Sequence, residues 1–374
     1  MALLVAVTPF GIESVAKREI MNLGFDVERV NDGRVYFTTD HKGIAKANVH
    51  LRTVERIYYV IGQKTLKSFD DLFDFVYAQS YRSLVSPDGR FVVNAQSKGS
   101  ELFSLRDIQK ITKKALIETF KGQFNRAVFD ETGPDFDFLV YINNDAAELL
   151  LDTSGEALHK RGYRLAAGDA PIKETLAAAL IQLSFFDKDR TLIDPFCGAG
   201  TIPIEAAMLA KNIAPGLNRS FACEHLPFVG KTVLKQVRKE ALKAIDQEAV
   251  LTIYASDIDK DIIEIAKDNA FEAGVDDVIT FQMSHVNHRI WEDNNHIIIT
   301  NPPYGKRIGE NKDLDALYKS LGEIIRNHPT NSYYVMTPYM GFEKQIGKKA
   351  NKTRILFNGT IKTRFYQYFG PKPN

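Results

Sequence analysis

Residues 191–201 read TLIDPFCGAGT, and IPIEAAMLAKN (202–212) follows without a break. Thr191–Ile193 begins a buried strand, Gly198 and Gly200 punctuate a turn, and a helix starts at once behind Thr201. Strand, glycine-containing turn and helix in direct succession present backbone N–H groups and a bare chain at the carboxyl end of a strand. That is where open α/β sheets hold their ligands. Asp194 stands at the strand end, where it would repel a pyrophosphate and suits a cationic or amino-bearing ligand. A nicotinamide-dependent oxidoreductase would carry G-x-G-x-x-G here, and residues 194–201 do not supply it.

Outward from this turn, the chain from about Lys173 alternates helix and buried strand, the signature of a parallel sheet. Thr175–Phe185 is expected as a helix. Leu251–Ala255 (LTIYA) is expected as the next strand, running into Ser256-Asp257-Ile258-Asp259, with a helix over Asp261–Ala273. An acid at the end of the second strand is placed to accept from both hydroxyls of a ribose. Val278–Met283 leads into Ser284-His285, and His296–Thr300 (HIIIT) runs into Asn301-Pro302-Pro303-Tyr304. Two consecutive prolines fix the backbone and remove two N–H donors, leaving nearby carbonyls free to accept. Asn301 adds a side-chain carbonyl and Tyr304 an aromatic face. The set suits a planar amine, with two acceptors for its hydrogens and a ring to stack on.

Asp194–Thr201 resembles motif I of class I S-adenosylmethionine-dependent methyltransferases, Asp257 their ribose-binding acid, and Asn301–Tyr304 motif IV of the amino-methylating members. Leu151–Arg164 (LDTSGEALHKRGYR) is similar to the joint between a THUMP domain and its catalytic domain. Taken over the whole chain, the sequence resembles the THUMP-containing guanine-N2 methyltransferases of large-subunit ribosomal RNA. The resemblance implies a Rossmann-like α/β methyltransferase sheet, closed by a hairpin at Arg354–Phe357 and Lys362–Phe369 and preceded by an α+β ferredoxin-like unit and a THUMP domain. It implies S-adenosylmethionine as methyl donor and S-adenosylhomocysteine as product. Asp194, Phe196, Cys197, Gly198, Gly200, Thr201, Asp257 and Ile258 would bind the cofactor. Asp194 would lie near its methionine amino group. At the third strand end, where an acid often contacts the adenine amine, this chain reads Gln282-Met283-Ser284, so Ser284 takes that place. Asn301, Pro302, Pro303 and Tyr304 would be catalytic: Asn301 Oδ1 and the Pro302 carbonyl accept both amine hydrogens, and Tyr304 stacks on the base.

The first half reads differently. A strand at 3–7, a helix over Gly11–Leu23, strands at Val27–Val30 and Val35–Thr38 around Asn31-Asp32-Gly33, a helix over Lys42–Leu51 and a strand at Arg56–Gly62 give βαββαβ. A second small unit follows, with a helix over Leu105–Phe120 whose Arg106, Lys110, Lys113 and Lys114 make a basic stripe fit for phosphates. The expected domains are 1–60, ferredoxin-like; 61–155, THUMP, with a start near 43 on a wider definition; and 165–374, methyltransferase. Lys110, Lys113, Lys114, Arg161 and Arg164 are the RNA-contact candidates, the two arginines because they stand at the domain joint.

Composition narrows the remaining classes. The 374 residues carry 48 Lys plus Arg against 47 Asp plus Glu, which excludes a histone-like bulk binder but permits a local basic groove. Two cysteines, Cys197 and Cys223, are too few for a disulfide framework or a four-cysteine zinc site. With no apolar run near the ~20 residues of a membrane helix and no basic, signal-like start, the expectation is a cytoplasmic protein with RNA as partner, no membrane and no obligate protein partner. His285 and His288 form H-x-x-H without the carboxylate or helical context of a metal site, and no metal is expected. Glu343–Arg364 holds seven basic residues and one acid with Phe342, Phe357 and Phe365 nearby, a second stretch fit for RNA or for a solvated edge. Two competing functions remain: N2-guanine methylation of transfer RNA, and a catalytically inactive RNA-binding module.

Overall fold

The computed structural model describes residues 1–166, 171–288, 291–304 and 311–372. The chain forms two compact units and contributes to them discontinuously. Residues 1–7, 17–158 and 219–240 belong to the first, and 8–16, 159–218 and those from 241 onward to the second.

The first unit is built on one sheet. Its elements are β1 (Ala2–Val7), α1 (Glu13–Asn22, which straddles both units), β2 (Asp26–Asn31), β3 (Arg34–Thr39), α2 (His41–His50), β4 (Arg56–Thr65), α3 (Phe69–Tyr77), β5 (Arg90–Lys98), α4 (Leu105–Phe124), β6 (Asp135–Asn143) and β7 (Ala146–Asp152). The strand order is β2-β3-β1-β4-β7-β6-β5. β4 joins the two halves: Arg56–Tyr59 pair with β1 and Tyr58–Thr65 pair with β7, across an irregularity between Val60 and Gly62. The expected domain limit at residue 60 therefore falls inside a strand that both halves share. Local signals set the helices. Asp40 Oδ1 accepts from Gly43 N at 2.7 Å at the start of α2, and Ser68 and Asp71 cap α3 reciprocally. Glu148 of β7 is buried and satisfied by Arg34, Tyr36, Arg29 and Gln63, so its charge does not stand unpaired in the sheet.

The second unit is doubly wound. Its elements are α5 (Glu174–Leu183), β8 (Leu192–Asp194), α6 (Thr201–Ala210), β9 (Ile253–Asp257), α8 (Lys260–Glu272), β10 (Ile279–Met283), β11 (Ile297–Thr300), α9 (Asn311–Asn327), β12 (Ser332–Thr337), α10 (Phe342–Ile346), β13 (Lys352–Asn358) and β14 (Ile361–Tyr368); α7 (Gly230–Lys243) lies between α6 and β9 in the chain. The order β10-β9-β8-β11-β12-β14-β13 has five parallel strands and a closing antiparallel hairpin. The chain runs outward from β8 through β9 to β10, then returns to the other side at β11. The crevice of the sheet thus opens between β8 and β11, at their carboxyl ends. Both faces are packed. Leu176, Leu180, Ile204, Ile299, Tyr334 and Phe365 belong to one core, and Ile298, Tyr318, Leu321, Tyr333, Phe342 and Tyr366 to the other. Among the described residues, no helix is long and apolar enough to cross a membrane.

Candidate active site

Asp194, the last residue of β8, is buried. Its Oδ1 accepts from Thr300 Oγ1 at 2.7 Å and from Phe196 N at 3.2 Å, while Oδ2 is buried without a hydrogen-bond partner among the described residues. Burial, reinforced by the charge of Asp257 and opposed by those two bonds, pushes the carboxyl up to about 7. The turn that follows is laid against β9: Cys197 N donates to Ser256 O at 2.9 Å, and Gly198 N to Asp257 Oδ2 at 3.0 Å. Gly198 has φ +51°, and a Cβ there would meet nothing within 4 Å, so the backbone lies bare. Gly200, at φ +83°, has the opposite reason for its identity, since a Cβ would stand 3.2 Å from Ala266 and Ile204 where α6 and α8 pack together. Burial pushes the Cys197 thiol well above its ordinary value, with Asp194 and Asp257 adding to it, which leaves it no thiolate character.

The motif after β11 is held from two sides. Tyr318 of α9 donates its hydroxyl to Pro303 O at 3.3 Å and shares a 2.8 Å bond with Thr337. Asn358 of β13 donates through Nδ2 to the Tyr304 hydroxyl at 3.2 Å. Asn301 Oδ1 is buried and has no hydrogen-bond partner among the described residues.

These residues meet in a cavity of about 650 Å³. Asp194, Phe196, Cys197, Gly198 and Thr201 line it from the first turn, Asp257, Ile258 and Ser284 from the next two strand ends, and Asn301 and Pro303 from the last. Gly200, Pro302 and Tyr304 are not in its wall, and Pro302 is buried. Pro171 and Ile172, which close one side, and the buried Asn269 are not evident in the sequence, and Arg164 serves here in a role other than the expected RNA contact. Arg164 Nη2 donates to Ile172 O at 3.0 Å and to Thr201 Oγ1 at 2.8 Å. The buried Asn269 of α8 accepts from Leu165 N at 2.9 Å and donates to Ala199 O at 3.0 Å. Nothing in the local sequence marks Asn269, whose partner Leu165 lies 104 positions away, and Arg164 stands out in the sequence only as a cation at the domain joint.

The cavity accepts a nucleoside carrying an amino-acid tail. It has a bare loop backbone, a carboxylate beside that loop, and two buried acceptor oxygens without partners, each of which would cost about 1–3 kcal/mol if nothing bound it. A methyl-sulfonium cofactor with a ribose and an ammonium group fits this donor and acceptor set.

Two candidates need correction. Arg161 is 3% exposed, with Nε 3.4 Å from Glu205 Oε1, and Arg164 is committed to Glu174, Thr201 and Ile172. Arg161, sealed against a buried carboxylate, cannot reach an RNA phosphate; Arg164 is half-buried, and its guanidinium bonds inward to the catalytic unit. Lys110, Lys113 and Lys114 lie along α4 and line a groove of about 730 Å³ with Arg90, Phe91 and Val92. Lys113 is partly engaged, donating to Phe91 O at 3.0 Å and pairing with Glu131 at 3.2 Å. Among the described residues no group of three metal-ligating side chains occurs.

Fold and site together define a class I S-adenosylmethionine-dependent methyltransferase. Residues 161–367 match the RMKL-like methyltransferase domain, 3–58 the RlmL ferredoxin-like domain and 67–152 the THUMP domain. The chain is 43% identical over 368 residues to YpsC of Bacillus subtilis (strain 168), by its name a candidate RNA methyltransferase, covering 98% of this chain and 95% of that one. The crystal structure of SMU.472 complexed with SAH is 39% identical, with a TM-score of 0.93 over 100% of this chain and 99% of that one. A predicted N6-adenine-specific DNA methylase from Listeria monocytogenes str. 4b F2365 is 42% identical, with a TM-score of 0.94 over 99% and 96%. The chain belongs to the RMKL-like methyltransferase family and is an S-adenosylmethionine-dependent RNA methyltransferase.

Proposed function

We propose that this protein methylates the exocyclic N2 of a guanosine in large-subunit ribosomal RNA. The observation that carries the reading is Asn301 Oδ1: a buried acceptor without a partner, set after two prolines, in the cavity that also holds Asp194 and Asp257.

S-adenosylmethionine supplies an electrophilic methyl group when bound. Asp257 would hold its ribose hydroxyls and Asp194 its amino group, and the turn Phe196–Gly200 would bind beside it. The lone pair of guanine's exocyclic nitrogen is delocalised into the ring, so the protein's task is to pyramidalise and aim that nitrogen. Asn301 Oδ1 accepts one amine hydrogen and the Pro302 carbonyl the other. The Pro303 carbonyl is already engaged by Tyr318, which fixes the loop. Tyr304 presents its ring to the flipped base while Asn358 anchors its hydroxyl. No strong base is needed, because the nitrogen loses its proton readily once it has become cationic. This is positioning and electrostatics, without a covalent intermediate.

The RNA backbone is expected along Lys110, Lys113 and Lys114, and the THUMP domain favours RNA over DNA. A substrate swap tests the reading. Labelled methyl groups should pass to unmodified large-subunit ribosomal RNA, whereas transfer to transfer RNA alone, or to duplex DNA alone, overturns the assigned substrate.

A further inference from the structure

We infer that the exposed face of the β13–β14 hairpin, together with Phe10, is a platform that stacks and holds single-stranded RNA beside the reacting nucleotide. The inference rests on the RNA-methyltransferase reading of the site, and not on which nitrogen is methylated.

The hairpin register pairs Phe357 with Lys362 and Ile355 with Arg364, and residues paired directly across two strands share a face. The other face carries Leu356, Thr363 and Phe365, all buried. No acidic residue occurs from Lys352 to Tyr368. The exposed face thus offers an aromatic ring and an isoleucine between two cations.

A second segment completes it. Gly11 has φ +94°, and a Cβ there would stand 2.6 Å from Ile355 O, so only glycine lets this loop lie against β13. Its neighbour Phe10 is thereby seated with its ring edge-on to Phe357, centroids 6.0 Å apart, and yet is 51% exposed. An exposed Phe10 ring adjoining a half-buried Phe357 at the rim of a catalytic unit, with lysine and arginine beside them, matches what an unpaired strand offers: base faces to stack and phosphates to neutralise. A duplex hides its base faces and would gain only the charge term.

The position also fits. β14 runs antiparallel to β12, with Arg364 opposite Thr337, so the hairpin turn lies at the sheet end where β11 delivers Asn301–Tyr304. The Asn358–Tyr304 hydrogen bond ties the platform to that loop. A strand lying on Phe10 and Phe357 therefore approaches the catalytic motif.

Fluorescence anisotropy of the full chain, saturated with S-adenosylhomocysteine, tests this with a labelled oligoadenylate of about 12 nucleotides and with the same strand in duplex form. The single strand should bind more tightly than the duplex. Phe10→Ala should weaken single-strand binding roughly 5–100-fold, the loss of one stacked base, and Phe10→Trp should restore it. Lys362→Glu should lower the salt dependence of binding by about one ion. Both side chains are exposed, so thermal stability and S-adenosylhomocysteine affinity should hold in all three variants. A wild type that prefers duplex or ignores the single strand, or Phe10→Ala binding as wild type, overturns the platform, and the patch then reads as a docking face for protein. A methylated nucleoside other than N2-methylguanosine would overturn the proposed reaction and leave these binding results standing.

Discussion

Asp194→Asn isolates what a buried carboxylate contributes to cofactor binding. The carboxamide keeps an acceptor for Thr300 and Phe196 N but loses the charge, and with it the partner for an ammonium group. A charge-assisted hydrogen bond is worth about 1.5–3 kcal/mol, so affinity for S-adenosylhomocysteine at pH 8 should fall roughly 10–150-fold. The wild-type carboxyl titrates at about 7 in the free protein, and only its ionised form pairs with the ligand. At pH 6 about nine-tenths of it is protonated, and wild-type affinity should be about tenfold weaker than at pH 8. Asp194→Asn should be flat over the same range, so the gap between the two proteins narrows about tenfold. The free protein shows the opposite sign. A carboxyl raised above its ordinary 3.8 holds its proton more tightly folded than unfolded, so stability declines as pH rises from about 4 to about 7, and Asp194→Asn removes that slope. Isothermal titration at pH 6, 7 and 8 measures the affinities. A wild-type affinity independent of pH, or a variant that binds as wild type at pH 8, refutes the pairing of Asp194 with the amino group.

Three further substitutions probe separate parts of the site. Asn301→Ala should lower turnover by roughly 10²–10³ while S-adenosylhomocysteine affinity stays within about twofold, measured by steady-state kinetics and titration; retained turnover would remove Asn301 as the amine orienter. Asp257→Ala should weaken S-adenosylhomocysteine binding by about 1.5–3 kcal/mol. Part of that loss would come from the Gly198 N–H it holds, so unchanged affinity would displace both roles. Gly11→Ala should cost about 1–3 kcal/mol in denaturant unfolding, because it combines a positive φ with a Cβ 2.6 Å from Ile355 O; a stability equal to wild type would mean the loop is not seated on β13.

The parts of this protein that were legible in the sequence are those whose cause is local. DPFCGAGT shows its strand, turn and helix because the ligand-bearing turn needs glycines at fixed places, and Asn-Pro-Pro-Tyr shows itself because prolines leave few conformations open. Asn31-Asp32-Gly33 marked the β2–β3 hairpin for the same reason. β12 (SYYVMT) is not legible: all six residues are buried, so it has no alternation, and one of its two tyrosines, Tyr334, finds its hydroxyl's partner 149 residues away at Phe185 N. Long-range pairings were equally invisible. Arg161 and Arg164 look like RNA contacts in a string of letters because Glu205 and Glu174, which neutralise them, join them only after folding. The supports of the catalytic loop, Tyr318 and Asn358, stand 15 and 54 residues from what they hold. That the ferredoxin-like and THUMP segments share one sheet is not legible either, because β4 pairs on both sides and one strand's sequence does not say how many neighbours it has.

The most direct measurement of the central claim is nucleoside analysis of large-subunit ribosomal RNA after reaction with the purified protein and labelled S-adenosylmethionine. The account predicts label in N2-methylguanosine, and none when Asn301→Ala replaces the wild type over the same interval. Label in N6-methyladenosine would keep the amine-directing site and contradict the assigned base, and no label in any nucleoside would contradict catalysis on this RNA altogether.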